Sequence, residues 1–330
     1  MYLLSLAALK HIKFILLFFI VSIGHAQQYP FWTQYRSNLF MMNPAAAGTR
    51  GDLDFRMTYR NQWVGFAGAP KTLGASLHAK LYKGKMGVGG YVFQDKIGPY
   101  SYLSAALAYA FKIKFDDVHL SIGANGSYNT MGINGASLTY QNSQDEAMIN
   151  VISTQKAKAF NAAAGIMLYN DRFHIAFSMN NLAGTTFNYD KTTEIVKRGQ
   201  FKTVPHFCAS VGYNWSENKN FIWENNLMAV FVSGAPILVD YYLRLHIKNA
   251  FFVGAGVRLG VAVVGQIGYT FPDWGQISYS YDYSTNKLTS YNSGSHEIKL
   301  AFFYSKKKLA HGRGLGEFKN QKYQNSFIVQ

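Results

Sequence analysis

Residues 237–248, with the sequence ILVDYYLRLHIK, decide the fold of this chain. Successive side chains of a β-strand point to opposite faces. A strand over this stretch therefore has one apolar face, from Ile237 to Ile247, and one face that carries Asp240, Arg244 and Lys248. A soluble β-sandwich could not bury these charges while it exposed the apolar row. A transmembrane β-barrel can, because its outer face contacts lipid and its inner face contacts water or a polar plug.

Comparable alternating segments recur along the chain, separated by turn residues. The predicted strands lie near residues 51–60, 71–81, 86–95, 100–113, 118–128, 157–169, 173–180, 204–214, 221–231, 236–247, 250–258, 261–271, 275–283 and 295–304. An even number of antiparallel strands is typical of single-chain bacterial barrels. The sequence therefore predicts an all-β fold, a single-chain antiparallel transmembrane β-barrel of about 14 strands with a short N-terminal plug-like segment.

The predicted connections differ in length according to the strand that they follow. Short links follow even-numbered strands, at residues 82–85, 114–117, 170–172, 215–220, 248–249 and 272–274. Long excursions follow odd-numbered strands, at residues 129–156, 181–203 and 284–294. Outer-membrane barrels have short periplasmic turns and longer outer loops. This parity predicts that the long loops face outward and that both termini lie in the periplasm.

The N-terminus has the pattern of a cleaved signal peptide. Lys10, His11 and Lys13 precede an apolar run over residues 14–23, and small residues two apart, Gly24 and Ala26, follow it. The predicted signal peptide covers residues 1–26, so that Gln27 begins the mature protein. The run is shorter than the roughly 20 residues of a membrane-spanning helix. Export then predicts an outer-membrane location in a Gram-negative cell.

Composition supports a secreted, aromatic-rich barrel. The chain of 330 residues has 23 Tyr, 25 Phe, 30 Gly and only 7 Pro, which fits strands that end in aromatic girdles. A single cysteine, Cys208, excludes an internal disulfide and a thiolate metal cluster. The formal net charge is +15. Because export removes nucleic acid as a partner, the expected counterparts are anionic lipopolysaccharide, peptidoglycan or an acidic protein.

The predicted organisation has four parts: the signal peptide 1–26, a plug or brace segment 27–50, the barrel 51–305 and a basic tail 306–330. The second part lacks alternation and contains the helix-disfavouring pair Asn43-Pro44. A barrel of fourteen strands lies between barrels filled by side chains and barrels with an aqueous channel. Its lumen is therefore open only if nothing enters it.

Seven motifs carry a specific resemblance to one family. In chain order they are Gln34-Tyr35, Asn43-Pro44-Ala45-Ala46-Ala47-Gly48, Tyr59-Arg60-Asn61-Gln62-Trp63-Val64-Gly65-Phe66, Gly68-Ala69-Pro70-Lys71-Thr72, Gln94-Asp95-Lys96-Ile97-Gly98-Pro99, Tyr281-Asp282-Tyr283-Ser284 and Ser290-Tyr291-Asn292-Ser293-Gly294-Ser295-His296-Glu297-Ile298. At these spacings the chain resembles the PorP/SprF family of Bacteroidota outer-membrane proteins. The motifs bracket almost the whole predicted mature chain.

The resemblance implies a barrel of the type IX secretion and gliding machinery. Its implied partners are exported cargo proteins or adhesins with a C-terminal sorting domain, a periplasmic secretion ring, peptidoglycan-binding proteins and outer-membrane lipid. Composition and periodicity do not show these partners. From the residues alone, the chain is an outer-membrane barrel with three sizeable outer loops.

The matched motifs supply the candidate partner-binding residues. The expected outer-loop candidates are Arg60, Asn61, Gln62, Trp63, Phe66 and Pro70 after the first strand, Asp95 and Pro99 after the third, and Tyr291 and Asn292 before the last. Donors and aromatic faces on stiff turns suit the gripping of a polypeptide. The alternative is that these side chains lock neighbouring loops together and complete the aromatic girdle.

Enzymatic and metal sites are not predicted. Ser76 and His78 share the inward face of one strand, but residues two apart on a strand do not make a triad. The nine histidines lack metal-ligand spacing, and the acidic pairs Asp116-Asp117 and Asp145-Glu146 fit solvated turns. The glycines at 84, 87, 89 and 90 are attributed to strand curvature. No catalytic residue, cofactor or metal is therefore assigned.

Transport is the competing function, as a passive channel or a channel for hydrophobic solutes. An importer of apolar solutes needs an apolar lumenal path. The predicted inward rows are polar instead and carry His78, Lys80, Asp240, Arg244, Lys248, Glu297 and Lys299. These rows favour a salt-bridged interior, although they leave a small-ion pore open as an alternative.

The C-terminal tail is basic. Residues 306–330 contain Lys306, Lys307, Lys308, Arg313, Lys319 and Lys322 against one acidic residue, Glu317. One interpretation is a solvated, glycine-rich tail. The other is contact with an anionic periplasmic partner, either peptidoglycan or the secretion ring, with an apolar anchor at residues 327–329.

Overall fold

The structure is a computed structural model that describes residues 31–134, 155–188, 200–218, 220–248, 250–271 and 274–304. The predicted signal peptide, the basic tail and the acidic pair Asp145-Glu146 lie outside these residues. The strands in chain order are β1 (Leu53–Asn61), β2 (Lys71–Leu81), β3 (Met86–Ile97), β4 (Tyr100–Phe115), β5 (Val118–Ile133), β6 (Gln155–Tyr169), β7 (Phe173–Asn180), β8 (Thr186–Asn188), β9 (Gln200–Lys202), β10 (His206–Asn218), β11 (Phe221–Val232), β12 (Leu238–Ile247), β13 (Phe251–Arg258), β14 (Ala262–Phe271), β15 (Gly275–Ser284) and β16 (Ser295–Tyr304).

Fourteen of these strands form a closed antiparallel barrel. Each barrel strand pairs with its neighbour along the chain, and the barrel closes where β1 pairs with β16, from Leu53 opposite Tyr304 to Asn61 opposite His296. The short strands β8 and β9 form a separate ribbon between β7 and β10. The predicted fold class and strand number are confirmed. Tertiary pairing extends β5 and β10 several residues beyond their predicted ends.

Side chains alternate between the lumen and the lipid-facing surface along the strands. Large apolar residues at alternate strand positions are exposed on the outer surface, among them Leu103, Leu107, Tyr109, Phe177 and Tyr241. This alternation confirms the pattern from which the barrel was predicted. Among the described residues, no helix is long and apolar enough to cross a membrane.

One predicted inward residue lies elsewhere. Lys248 follows the last residue of β12, has a positive φ of 49° and is exposed in a turn. The strand ends at Ile247 because the chain must reverse direction to enter β13. The correction concerns only the end of the strand, since Asp240 and Arg244 do face the lumen and are buried.

The two ends of the barrel differ. The links after β2, β4, β6, β10, β12 and β14 contain at most four residues, and we name this side the short-turn end. The long links after β5, β7 and β15 emerge at the opposite side, the long-loop end. Stacked aromatic pairs, Trp215 with Trp223 and Phe271 with Trp274, lie at or beside strand ends near the short-turn end, at centroid distances of 6.0 and 4.6 Å. Such pairs are typical of an interfacial girdle.

Residues 31–50, which we name the interior segment, run through the barrel from one end to the other. Phe31 lies at the long-loop end, where the Arg258 guanidinium is 4.6 Å from its ring centre. At the short-turn end, the Asp52 N–H donates to the Tyr304 carbonyl at 2.9 Å. The segment contains two 3-10 helices, η1 (Tyr35–Met41) and η2 (Pro44–Ala46).

The direction of the interior segment differs from the sequence expectation, which placed the chain before the first strand on the short-turn side. The described chain begins at the long-loop end and, after its last barrel strand, stops at Tyr304 at the short-turn end. Local sequence could not show this path, because side-chain periodicity says nothing about where a non-periodic segment runs.

Candidate functional site

The interior segment occupies the lumen. Every residue from 32 to 48 is buried. Its apolar side chains form one cluster with inward side chains of the wall: Tyr35 lies against Tyr242 at a centroid distance of 5.9 Å, and Phe40 lies against Tyr91 at 5.9 Å. The segment is therefore packed as a core and not suspended in a channel.

A charged cluster binds the start of the segment near the long-loop end. Glu297 of β16 accepts hydrogen bonds from the backbone N–H groups of Thr33 and Gln34 at 2.7 and 2.9 Å. Asp282 of β15 accepts from the Thr33 hydroxyl at 2.7 Å. Arg60 then pairs with both acids, at 2.8 Å to Asp282 and 3.4 Å to Glu297. Three barrel strands are thus joined to the segment through charge-assisted hydrogen bonds.

Arg258 extends the same cluster across the lumen. Its guanidinium pairs with Asp240 of β12 at 3.2 Å and with Asp282 at 3.1 Å. It also faces the ring of Phe31 in a cation–π arrangement. All of these charges are buried, so each acid needs its basic partner.

A second charged cluster holds η1 deeper in the lumen. Glu224 of β11 pairs with Arg36 at 3.1 Å, with Arg244 at 3.5 Å and with His246 at 2.8 Å. Arg244 also donates to the Ser37 hydroxyl at 3.2 Å. The wall therefore contacts the segment through paired charges at two depths.

Glycines on three strands make room for residues 43–48. A Cβ atom at Gly87 would lie 2.0 Å from the Ala47 carbonyl oxygen, and one at Gly123 would lie 2.5 Å from the Ala45 nitrogen. At Gly165 it would lie 2.1 Å from the Asn43 side-chain oxygen. Because no side chain tolerates such approaches, these positions require glycine. The assignment of Gly87 to strand curvature is corrected accordingly.

Polar groups of the wall complete the seat of η2. Asn43 caps η2 by accepting from the Ala45 N–H at 2.9 Å, and its amide donates to the Phe177 carbonyl at 3.1 Å. Ser178 donates to the Met42 carbonyl at 2.8 Å, and Ser121 donates to the Ala45 carbonyl at 2.7 Å. The carbonyls and the cap of this turn are thus bonded to the barrel wall.

The two side chains weighed for catalysis also serve the segment. The Ser76 hydroxyl accepts from the Asn38 amide at 2.9 Å, and His78 Nδ1 accepts from the Gly48 N–H at 3.2 Å. Within the described ranges there is no group of three His, Cys, Asp or Glu residues that could hold a metal ion. What the lumen does chemically is to hold the interior segment.

The β8–β9 ribbon lies at the long-loop end. Phe187 is buried against inward side chains of the wall, with Tyr102 at a centroid distance of 6.3 Å and Ala157 and Ala159 beside it. Asn161 of β6 donates to the Thr203 hydroxyl at 3.3 Å. The ribbon therefore packs inside the barrel at the long-loop end, in the part of the lumen that the interior segment does not fill.

Backbone hydrogen bonds join the loops at this end into one surface, the loop-end rim, formed by residues 62–70, 98–99 and 285–294. Val64 exchanges hydrogen bonds with Gly294 and Ser293, at 2.8 and 2.7 Å. The Gly98 N–H donates to the Gly68 carbonyl at 2.8 Å. These bonds make the rim a stiff surface that presents its remaining side chains in defined positions.

The ten predicted partner-binding residues are distributed between the rim and the wall. Phe66 and Tyr291 are exposed, at 49% and 69% of their surfaces. Asn61, Gln62, Trp63, Pro99 and Asn292 are partly buried, and Pro70 is buried. Asn292 accepts hydrogen bonds from the Ser284 hydroxyl at 3.1 Å and from the Gly294 N–H at 2.8 Å, so its side chain stabilises the conformation of its own loop.

Three of the ten do not lie in loops, which corrects the sequence expectation. Arg60 and Asn61 are the last two residues of β1, and Asp95 belongs to β3; the side chains of Arg60 and Asp95 point inward. Asp95 accepts from the Thr72 hydroxyl at 2.6 Å across the β2–β3 pair. Strand alternation continues through these positions, because their neighbours pair into the barrel beyond the predicted strand ends.

The partners of the Arg60 charge carry only a weak signal in the sequence. Asp282, Glu297 and Arg258 lie near strand ends on the inward side of the alternation, which could have indicated a common level in the barrel. Thr33 and Gln34 carried no such signal, because they precede the first strand and follow no period.

A protein-family comparison decides the family. The family profile of the type IX secretion system membrane protein PorP/SprF matches residues 24–302, which include all of the barrel except the last two residues of β16. This chain belongs to the PorP/SprF family. The family match spans both the interior segment and the loop-end rim, and no curated protein matches the chain.

Solved structures similar to this PorP/SprF protein are barrels. The toluene transporter TbuX of Ralstonia pickettii aligns with a TM-score of 0.50 and 9% identity over 81% of this chain and 92% of that chain. A FadL homologue of Pseudomonas aeruginosa gives 0.43 and 10% identity over 79% and 91%. The toluene transporter TodX of P. putida gives 0.45 and 9% over 80% and 93%. At such identities, the likeness to TbuX shows a shared barrel fold.

Proposed function

We propose that this protein is the outer-membrane barrel of a type IX secretion and gliding machinery that helps to secrete or anchor cargo proteins at the cell surface through its loop-end rim. The family match is the observation that carries the proposal. The filled lumen supports it, because a barrel whose interior is packed offers its rim and outer faces to partners.

The proposed orientation places the loop-end rim outside the cell. It rests on the parity of the links, since short turns face the periplasm in outer-membrane barrels. On the periplasmic side, the proposed partners are the secretion ring or peptidoglycan-binding proteins. The proposed cargo is an exported protein or the sorting domain of an adhesin.

The exposed aromatics of the rim are the proposed cargo contacts. Phe66 and Tyr291 lie on loops that the Val64 hydrogen bonds hold together, and large aromatic side chains on stiff surfaces are typical interface anchors. The partly buried residues Gln62, Trp63 and Asn292 shape this surface. Arg60 and Asp95 support it from inside the barrel.

The rim is tested by replacing Phe66 and Tyr291 with alanine together. We expect cargo to shift from cells to medium, because loss of interface anchors costs about 2 kcal/mol or more. The control is Leu259→Ala, an equally exposed apolar residue in another link at the long-loop end. Heat-modifiable gel migration checks that each barrel is assembled. Normal surface levels of all type IX cargo in the double variant would contradict the proposal.

The channel alternative is tested by conductance in planar bilayers. We expect the intact protein to show little steady conductance, because residues 32–48 are buried in the lumen. A variant that lacks residues 32–48 is the positive control and should conduct. Steady conductance of the intact protein, unchanged by this deletion, would favour a passive channel.

A further inference from the structure

The outward face of β1–β6 has an uneven distribution of charge. Its charged side chains among the described residues are four lysines, Lys71, Lys96, Lys156 and Lys158, all exposed and all near the long-loop end. None of the four has an acidic partner within the part of the chain that the structure describes. The rest of this face is apolar or uncharged, so the lysines are a feature of one membrane boundary only.

Strand register aligns three of these lysines. Lys71 lies directly opposite Lys96, and the same row continues through Ser101 and Gly132 to Lys156. Lys158 lies two residues farther along β6 on the same face. Like charges directly opposite each other on neighbouring strands are destabilising. An anion bound between Lys71 and Lys96 would remove this repulsion.

An apolar groove of about 1110 Å³ lies beside the row, toward the middle of the membrane. Small residues, Gly90, Ala105 and Gly126, form its floor, and a Cβ atom at Gly126 would meet nothing within 4 Å. Leu107 and Phe160 stand out from it, 79% and 75% exposed. The floor is therefore lower than the side chains around it, as a site for hydrocarbon chains requires.

The spacing of groove and lysines suits one amphiphile. Lys158 is two residues from Phe160 on the same face, about 7 Å, and Lys96 is four residues from Val92 in the groove, about 13 Å. The lysines therefore lie at the end of the groove nearest the long-loop end, where the headgroup of a lipid seated in the groove would lie. The row faces the membrane beside an apolar groove, which favours an anionic lipid over an acidic protein.

We propose that this face binds a phosphorylated, multiply acylated lipid of the outer leaflet, a lipid of the lipid A class, with its phosphates on the lysine row and its acyl chains in the groove. The proposal rests on the orientation proposed above, with the long-loop end outside. It is independent of the rim, because the row and the groove face the membrane and not the cargo.

The lysine row is tested with the purified full-length protein in detergent, titrated with bisphosphorylated and dephosphorylated lipid A and followed by native mass spectrometry. The variant replaces the three lysines of the row, Lys71, Lys96 and Lys156, with glutamine. The matched control replaces three exposed lysines at the short-turn end, Lys83, Lys85 and Lys114. Each lysine near an anionic headgroup contributes about fivefold in affinity, so the first variant should bind about 100-fold more weakly and the control as the natural chain does.

The groove is tested by filling it. Gly126→Leu should lower the affinity for bisphosphorylated lipid A, whereas Gly265→Leu, at an outward glycine of β14 with equally open surroundings, should not. Inorganic phosphate should not compete, because it lacks acyl chains. Three results would overturn the proposal. They are equal binding of the two lipid A forms, equal loss of affinity in both glycine variants, and occupation of the lysine row by a bound protein instead of lipid. The Phe66 and Tyr291 double variant should bind lipid normally, so failure of the rim and failure of this site are distinguishable.

Discussion

Arg60 shows how far a residue's role depends on the rest of the molecule. Its neighbours in sequence form a turn motif, yet its side chain is buried and pairs with Asp282 and Glu297, more than 200 positions away in the chain. It also donates to the Thr33 hydroxyl of the interior segment. Arg60 therefore links β1, β15 and β16 with the segment that fills the lumen.

Replacing Arg60 with methionine should destabilise the barrel. The change leaves buried carboxylates short of a partner, and breaking a buried ion pair typically costs about 3–5 kcal/mol. The free energy of unfolding, measured by urea titration in detergent micelles, checks this value. Lys287→Met, at an exposed loop lysine, should leave it unchanged. If the two variants unfold alike, the buried pairs do not stabilise the fold.

At the scale of elements, the barrel strands have glycines where the interior segment approaches them. Strands β3, β5 and β6 each place a glycine against residues 43–48, while other positions on the same strands face the membrane. On β5, a Cβ atom at Gly123 would collide with the segment, whereas a Cβ atom at the outward Gly126 would meet nothing within 4 Å. The strand thus carries two glycines with opposite tolerance of substitution.

Gly123→Val should therefore disturb the interior segment, and Gly126→Val should not. Overpacking typically costs about 1–3 kcal/mol, so we expect a lower free energy of unfolding for the first variant, together with increased bilayer conductance if the segment is displaced. For Gly126→Val, the free energy of unfolding and the bilayer conductance should equal those of the natural chain. Equal behaviour of the two variants would show that the segment does not occupy this seat in the membrane.

At the scale of the whole molecule, the barrel encloses a chain that passes from its long-loop end to its short-turn end. The first and last strands close the barrel around this segment. The charged clusters that hold it join strands from distant parts of the chain, so closure and filling of the lumen are coupled.

This path predicts which tags an intact cell exposes. With cleavage after Ala26, the new N-terminus is four residues from Phe31, and four residues span at most about 14 Å. A tag inserted before Phe31 should be reached by antibody on intact cells, because Phe31 lies at the long-loop end. A tag after Gln330 should be reached only after permeabilisation. The reverse pattern would contradict the proposed orientation.

The strands and their order followed from the sequence. Alternation such as that of residues 237–248 is local, and its cause, lipid on one side and a polar interior on the other, acts on each strand separately. The lengths of the links can also be read directly from the sequence, so the sequence alone distinguishes the short-turn end of the barrel from the long-loop end. The outward positions of Leu107 and Tyr241 follow from the same period.

The tertiary structure alone decided what fills the barrel. Thr33 binds Asp282 across 249 positions, and Gly123 must be glycine only because Ala45 lies against it. Turn signals placed Arg60 and Asp95 in loops, but pairing with neighbouring strands carried both into the wall with their side chains inward. The physical reason is that alternation reports the solvent on each side of a strand, whereas the partner of a buried charge depends on which distant strands the closed barrel brings together.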